Sequence, residues 1–315
     1  MIPQNTYQTS VVAFLDVSGL RDAVWKSAEK PELASALEGM LSGIQSRCID
    51  LNKRPWLSKE LPNLKARAFS DSIILTCPTV SDDALRLIAV IISAYQMEVI
   101  VTHGFFIRGA ITVGKYCDRG DICFGPALIE AYDAEQQLAN WSRVIVLPRA
   151  LELRTHGRHP YLIRDDGGIT YVDYLLLCTT NLFVQSGTSE KRQQGLSTLS
   201  WLTLIEKHKT ALEKAVKTLD TNTPQFLLTL SKYHSLAQYH NRYLRQVIRG
   251  GKNFPLIELL ELILSHQKGM TKDRMRREIS EFTTLFSEMD ERLKNCLIDL
   301  RHICAPLRER GPRRK

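Results

Sequence analysis

A change of rhythm near residue 190 constrains this chain more than any other feature. From residue 9 to 185 the sequence alternates between strand-like and helix-like segments. "SVVAFLDVSG" is an apolar strand running into an Asp and a Ser-Gly turn. A helix-period stretch follows, from about Leu20 to Leu51. "ARAFSDSIILTCP" reads as a strand pair, and "DDALRLIAVIISAYQMEVIVTHG" as a long apolar helix with an acidic start, ended at His103-Gly104. "FFIRGAITVGKY" is a strand, "GPALIEAYDAEQQLA" a helix, "SRVIVLP" a short strand. "LIRDDGGITYVDYL" is a hairpin turning at Asp166-Gly167. Strands separated by helices predict an α+β sheet covered by helices on one face.

Beyond the polar segment 186–195 the period becomes three to four. Trp201, Ile205, His208, Leu212, Val216 and Leu219 share a stripe, as do Leu236, His240, Tyr243 and Val247. Two domains are therefore expected: residues 1–185 with the sheet, and an all-helical region over 186–315 whose role is packing and partner contact.

Bulk composition narrows the function classes. The 315 residues are 44% hydrophobic and 24% charged, as in ordinary globular chains. No apolar run in the sequence approaches a membrane span, and the first ten residues lack the basic-then-apolar order of a secretory leader. The seven cysteines are odd in number and form no CxxC pair, which suits reduced, packed thiols of a cytoplasmic protein. The net charge of +8 attracts anions. Neither a basic stripe interleaved with aromatics nor a known nucleic-acid module is present, and nucleotide phosphates are an equally good and simpler explanation of the charge. No zinc pattern, P-loop, nucleophile elbow or dinucleotide fingerprint is present.

Two carboxylates carry the chemistry. Asp16 ends the strand "VVAFLD", and Asp71 stands where the apolar run "SIIL" begins. An unpaired charge at a buried strand is costly. Asp71 can escape that cost as an exposed turn residue. It can also escape it on a neighbouring strand to Asp16, with a hard cation between the two. Two such cations about 4 Å apart activate a hydroxyl and hold a triphosphate. Backbone N–H groups at Ser18-Gly19-Leu20, opening a helix, would cradle phosphate oxygens.

The motifs "AFLDVSGL", "RAFSDSIIL", "HGFFIRGAITVG" and "GDICFGPALIEAYDAE" occur in the order of the signatures of class III nucleotidyl cyclases, and the chain resembles that family over residues 9–175. The resemblance implies a cyclase-type sheet flanked by helices and a homodimer with two shared active sites. It implies two Mn²⁺ or Mg²⁺ ions held by Asp16, Asp71 and the carbonyl of Val17. It also implies attack of a ribose 3′-hydroxyl on the α-phosphorus, expelling pyrophosphate. Purine cyclases carry a base-reading Lys four residues before the second metal Asp; here that residue is Arg67. A guanidinium fork suits uracil or cytosine, although a solvated strand-end residue or a phosphate contact fits as well. The helix motif lacks the usual Asn and Arg, with Ile129 and Asp133 in their places. Arg108, Lys115, Arg143 and Lys65 are candidates for the missing cation. Glu130 and Glu135 read as a solvated helix face. This combination resembles the pyrimidine cyclases of bacterial Pycsar anti-phage defence.

That resemblance implies conversion of UTP, or CTP, to the 3′,5′-cyclic monophosphate, a messenger for a separate effector protein. A purine cyclase with a relocated cation is the first alternative. A catalytically inactive nucleotide sensor or scaffold is the second. Phe14 and Phe69, each two residues before an Asp, can wall the nucleotide pocket or pack in the core. Tyr7 can stack on a base or lie on the surface. Neither nucleic acid nor a membrane is an expected partner.

Overall fold

The computed structural model describes residues 7–53, 63–119, 121–154, 159–178, 196–249, 271–274, 276–277, 280 and 290–303. The chain divides into two compact units, Met1–Tyr174 and Leu175–Lys315. The boundary expected at 185/186 lies outside the described residues, as does the apolar segment 254–267.

The first unit is mixed α/β, built on an open mixed sheet of eight strands. Its strands are β1 (Gln8–Ser18), β2 (Lys65–Phe69), β3 (Ser72–Cys77), β4 (Phe106–Arg119), β5 (Ile122–Phe124), β6 (Val144–Val146), β7 (Leu162–Arg164) and β8 (Thr170–Val172). Their order is β2-β3-β1-β4-β6-β8-β7, with β5 paired to the end of β4. All pairings are antiparallel except β4 with β6. β1 is central, which is why "VVAFL" is apolar without alternation: both of its faces are covered. Val11, Val12, Ala13 and Leu15 are fully buried.

Helices α1 (Leu20–Ser27), α2 (Pro31–Asn52), α3 (Asp82–Glu98), α4 (Pro126–Leu138) and α5 (Pro148–Leu151) complete the unit. The helical stretch expected over 20–51 is broken at residues 28–30. Pro31 cannot donate a backbone bond and is suited to the first position of a new helix. Ser81 caps α3 by accepting from the Ala84 N–H (3.2 Å), and a π turn, Val99–His103, extends it to Gly104. α2 and α3 are joined by the Tyr95 hydroxyl donating to the Met40 carbonyl (2.9 Å). Gln96 of α3 donates to the Ile107 carbonyl of β4 (3.1 Å).

The helix Asp82–His103 is long and apolar enough to cross a membrane, although Arg86 interrupts the run in the sequence. In the fold 67% of its apolar window is buried, because it is the core helix of this unit. α4 lies on the other face, so helices cover both faces of the sheet rather than one. Gly125 precedes it with φ 152, and a Cβ there would meet the Lys115 carbonyl at 2.5 Å. Only glycine admits that approach.

In the second unit α6 (Leu196–Lys217) and α7 (Phe226–Arg249) pack with the short α8 (Asp290–Asn295) and α9 (Leu300–Ile303). The expected stripes point inward: Ile205, His208, Leu212 and Val216 are buried, with Leu236, His240, Tyr243 and Val247. Six of the seven cysteines fall among the described residues, all as free thiols. Burial pushes the Cys48 thiol up to about 12.

Candidate active site at the end of the central strand

Residues directly opposite one another in an antiparallel pair point to the same face. The register Asp16↔Ser72 and Asp16↔Arg108 therefore places Asp16, Arg108, Phe14 and Ala110 on one face of the sheet. Asp71 stands in the β2–β3 turn, one residue before β3, and is half-buried. Its carbonyl accepts from the Val17 N–H at 2.9 Å. Asp71 is thus a turn residue, half-buried rather than exposed, and its backbone ties the turn to the end of the strand that carries Asp16. Ser70, with φ 55, makes the tight corner.

Asp16 accepts from Arg108 Nε at 3.0 Å. The same nitrogen lies 2.7 Å from Glu135 Oε1 on α4. Glu135 is fully buried, which overturns its expected place on a solvated helix face. Its other oxygen accepts from Gln136 Nε2 (2.6 Å). Glu130 is half-buried and accepts from Thr112 Oγ1 (2.9 Å). Both acids point at the sheet, not away from it. Asp16 and Glu135 share one Arg108, so this ion-paired group carries one formal negative charge in excess, and the Asp71 turn adjoins it through its backbone.

That surplus is what a divalent cation requires, and an all-oxygen donor set suits Mg²⁺ or Mn²⁺. Among the described residues no three or more His, Cys, Asp or Glu side chains converge as a metal cluster. A shell here would draw on the two aspartates and the Val17 carbonyl, completed by water or phosphate oxygens. Val17 itself is buried by its side chain. Next to it, Ser18 ends β1, and Gly19 adopts φ 85, a left-handed conformation that favours glycine. No side chain caps the first turn of α1.

The remaining expected residues separate into two groups. Phe14 is 8% exposed and meets the Tyr132 ring edge-on, centroids 5.3 Å apart; it is a core residue at the margin of the site. Phe69, on the same face, is 80% exposed. Tyr7 lies just before the opposite end of β1, edge-on to Phe124 at 5.6 Å, far along the strand from Asp16. Arg67 turns away from Asp16 and pairs with Asp118, which also holds Lys65 Nζ at 3.2 Å. In register Arg67 sits level with Phe14 and Ala110. The long Arg67 and Lys65 side chains reach along this face to Asp118 near the end of β4.

A cavity of about 470 Å³ opens beside this cluster, lined by Gln8, Ser10, Lys65, Thr76, Tyr116 and Asp118 among others. Burial, with Cys123 and Asp118 adding to it, pushes the Tyr116 phenol up, so it stays protonated.

Of the four candidate cations, Arg108 alone stands at Asp16. Arg143 is buried between Trp141 and Tyr171 and committed to Asp165 and the Leu138 carbonyl. Lys65 belongs to the Asp118 cluster, and Lys115 is exposed further along β4. Ile129 is 61% exposed on α4, and Asp133 is exposed as well. Nothing in the sequence marks Asp118, because its partner Arg67 is 51 residues away. No family model matches the sequence, and no curated protein matches it significantly.

Proposed function

We propose that the chain is a nucleotidyl cyclase of the class III type, acting on a pyrimidine nucleoside triphosphate, with UTP favoured over CTP. The observation that carries this reading is the tie between the Asp71 turn and the end of β1, which sets two carboxylates on adjacent backbones with a surplus of negative charge. The order β2-β3-β1-β4 around them, with the hairpin next to the Asp-bearing strand, supports the cyclase-type sheet that the motifs imply. Bound there, Mn²⁺ or Mg²⁺ would supply charge neutralisation and activation of the 3′-hydroxyl.

The residues of this chain bind and orient. Asp16, Asp71 and the Val17 carbonyl would hold the ions. The N–H groups at Ser18, Gly19 and Leu20 would face phosphate oxygens. Arg108 is the cation at hand for charge developing on the phosphates. Arg67 turns away from its own Asp16, and Lys65, Asp118 and Tyr116 lie with it. That separation suits a homodimer in which the acidic end of one protomer meets the Arg67 end of its partner. There Arg67 and Lys65 would donate to base carbonyls, Asp118 would accept, and Tyr7 could stack. The product would be a cyclic nucleotide messenger for a separate effector in anti-phage defence, inside the cytoplasm.

Incubation with each ribonucleoside triphosphate and Mn²⁺, read by mass spectrometry, tests this. A 3′,5′-cyclic pyrimidine product is expected. A cyclic purine product would shift the substrate class. The exposed Ile129 and Asp133 favour one other reading, a nucleotide-binding sensor without turnover. Absence of any product from protein that binds Mn²⁺ would select it.

A further inference from the structure

Resting on the metal-site reading above, we propose that Glu135 is a positioning residue that acts through Arg108 to control access of a divalent cation to Asp16. Arg108 Nε donates its one hydrogen to Asp16 at 3.0 Å and lies 2.7 Å from Glu135 Oε1 as an ion pair. The two acids differ in burial. The Glu135 side chain is 0% exposed and the Asp16 side chain 18%.

That asymmetry decides which carboxylate gives way. Taking a cation from a fully buried carboxylate costs more than taking it from one at the solvent edge, where water compensates the charge. Asp16 sits at the solvent edge and can exchange Arg108 for another cation. Arg108 must therefore leave Asp16 before that carboxylate can ligate an ion, and Glu135 holds the guanidinium when it does. α4 is fixed against the sheet by the Glu130–Thr112 bond to β4 and the Phe14–Tyr132 contact to β1, so the holding point does not drift. Arg108 and a bound ion are thus alternatives at Asp16. In the loaded protein it stays beside the site without occupying its ligand.

The consequence is readable without turnover. Free Mn²⁺ is followed by electron paramagnetic resonance as it is titrated with the full chain. Glu135→Gln frees Arg108 to lean wholly on Asp16, and Mn²⁺ affinity is expected to fall about tenfold, as for partners that orient metal ligands. Glu130→Gln removes the same charge from the same helix but touches no part of the Arg108 pair; its affinity is expected within about twofold of wild type. Arg108→Gln combined with Glu135→Gln removes the pair as a neutral unit and is expected to restore wild-type affinity or better.

Equal losses for Glu135→Gln and Glu130→Gln, or no recovery in the double variant, overturn the proposal. If Glu135→Gln does not fold, Arg108→Lys carries the test. A compact ammonium cannot span both acids, the buried Glu135 retains it, and Mn²⁺ binds tighter than to wild type; equal or weaker binding overturns the proposal. Asp16→Asn separates the levels. If it binds Mn²⁺ as wild type does, the metal site itself is misplaced and both readings fall. If it loses Mn²⁺ while Glu135→Gln does not, only this inference falls.

Discussion

At the end of β1 in the sheet unit, Asp16, Arg108 and Glu135 meet as formal charges. Between α6 and α7 in the helical unit, His208 and His240 meet as neutral rings. The histidines are fully buried and stacked, 7° from parallel, with Nδ1 atoms 3.0 Å apart. His240 Nε2 lies 3.0 Å from the Cys296 carbonyl and must donate to it. For a neutral ring this leaves His240 Nδ1 as acceptor and His208 Nδ1–H as donor, so the tautomers follow from the partners.

Around the pair, Lys209 donates to the Asn295 and Leu297 carbonyls, and Asn241 exchanges two bonds with Ile298. The main chain of 295–298 is thereby satisfied by side chains of α6 and α7. One cluster carries surplus charge at a solvent edge; at the centre of the other are two neutral rings sealed from water. The first is where the proposed ion would bind, and the second holds a segment in place.

The largest expected effect falls on the charged cluster. Asp71→Ala is expected to abolish turnover while leaving the unfolding midpoint close to wild type, since Asp71 contributes its carbonyl, not its side chain, to the β1 contact. Product formation and urea unfolding, measured together, check this. The reverse pattern is expected for the neutral cluster. His240→Ala opens a cavity and removes the donor to the Cys296 carbonyl, at a cost of about 3 kcal/mol of stability. Mn²⁺ affinity is expected to stay at its wild-type value.

Acid sharpens the same contrast. Burial pulls His240 down to about 4 and His208 well below its usual value. In the unfolded chain both titrate near 6.5, so between about pH 6.5 and 4 the unfolded state binds more protons. Stability of the helical unit is therefore complete above pH 6.5 and falls as pH drops towards 4. Urea midpoints followed by circular dichroism across that window should decline, and the decline should vanish in a His208→Leu, His240→Leu variant. The smallest effect is that of Lys209→Met, about 0.5–1 kcal/mol, because Lys209 is partly solvated and its two carbonyls can bind water.

Much of the fold was legible because its signals are local. The apolar run of β1, the serine cap and acidic first turn of α3, and the hairpin at 165–168 each lie within a few residues. In that hairpin the left-handed residue is Gly168 rather than the Asp166-Gly167 pair. The stripes of α6 and α7 were equally plain, down to the inward histidines. Asp16, Asp71 and the Ser18-Gly19 turn could be found because strand ends and turns mark themselves.

What escaped the sequence was tertiary. Glu135 looks like any acid on a polar helix until α4 is laid over β4 and Arg108 rises to meet it. Arg67 and Asp118 are 51 residues apart and His208 and His240 are 32 apart; no periodicity relates either pair. β5, three residues long, has too short a run to announce itself.

Binding of Mn²⁺ to wild type, Asp71→Ala and His240→Ala, each folded and at equal concentration, tests the division of labour most directly. The expected result is a saturable site in wild type and His240→Ala that is lost in Asp71→Ala. A site retained in Asp71→Ala and lost in His240→Ala would contradict it, and would move the chemistry from the strand end to the helical unit.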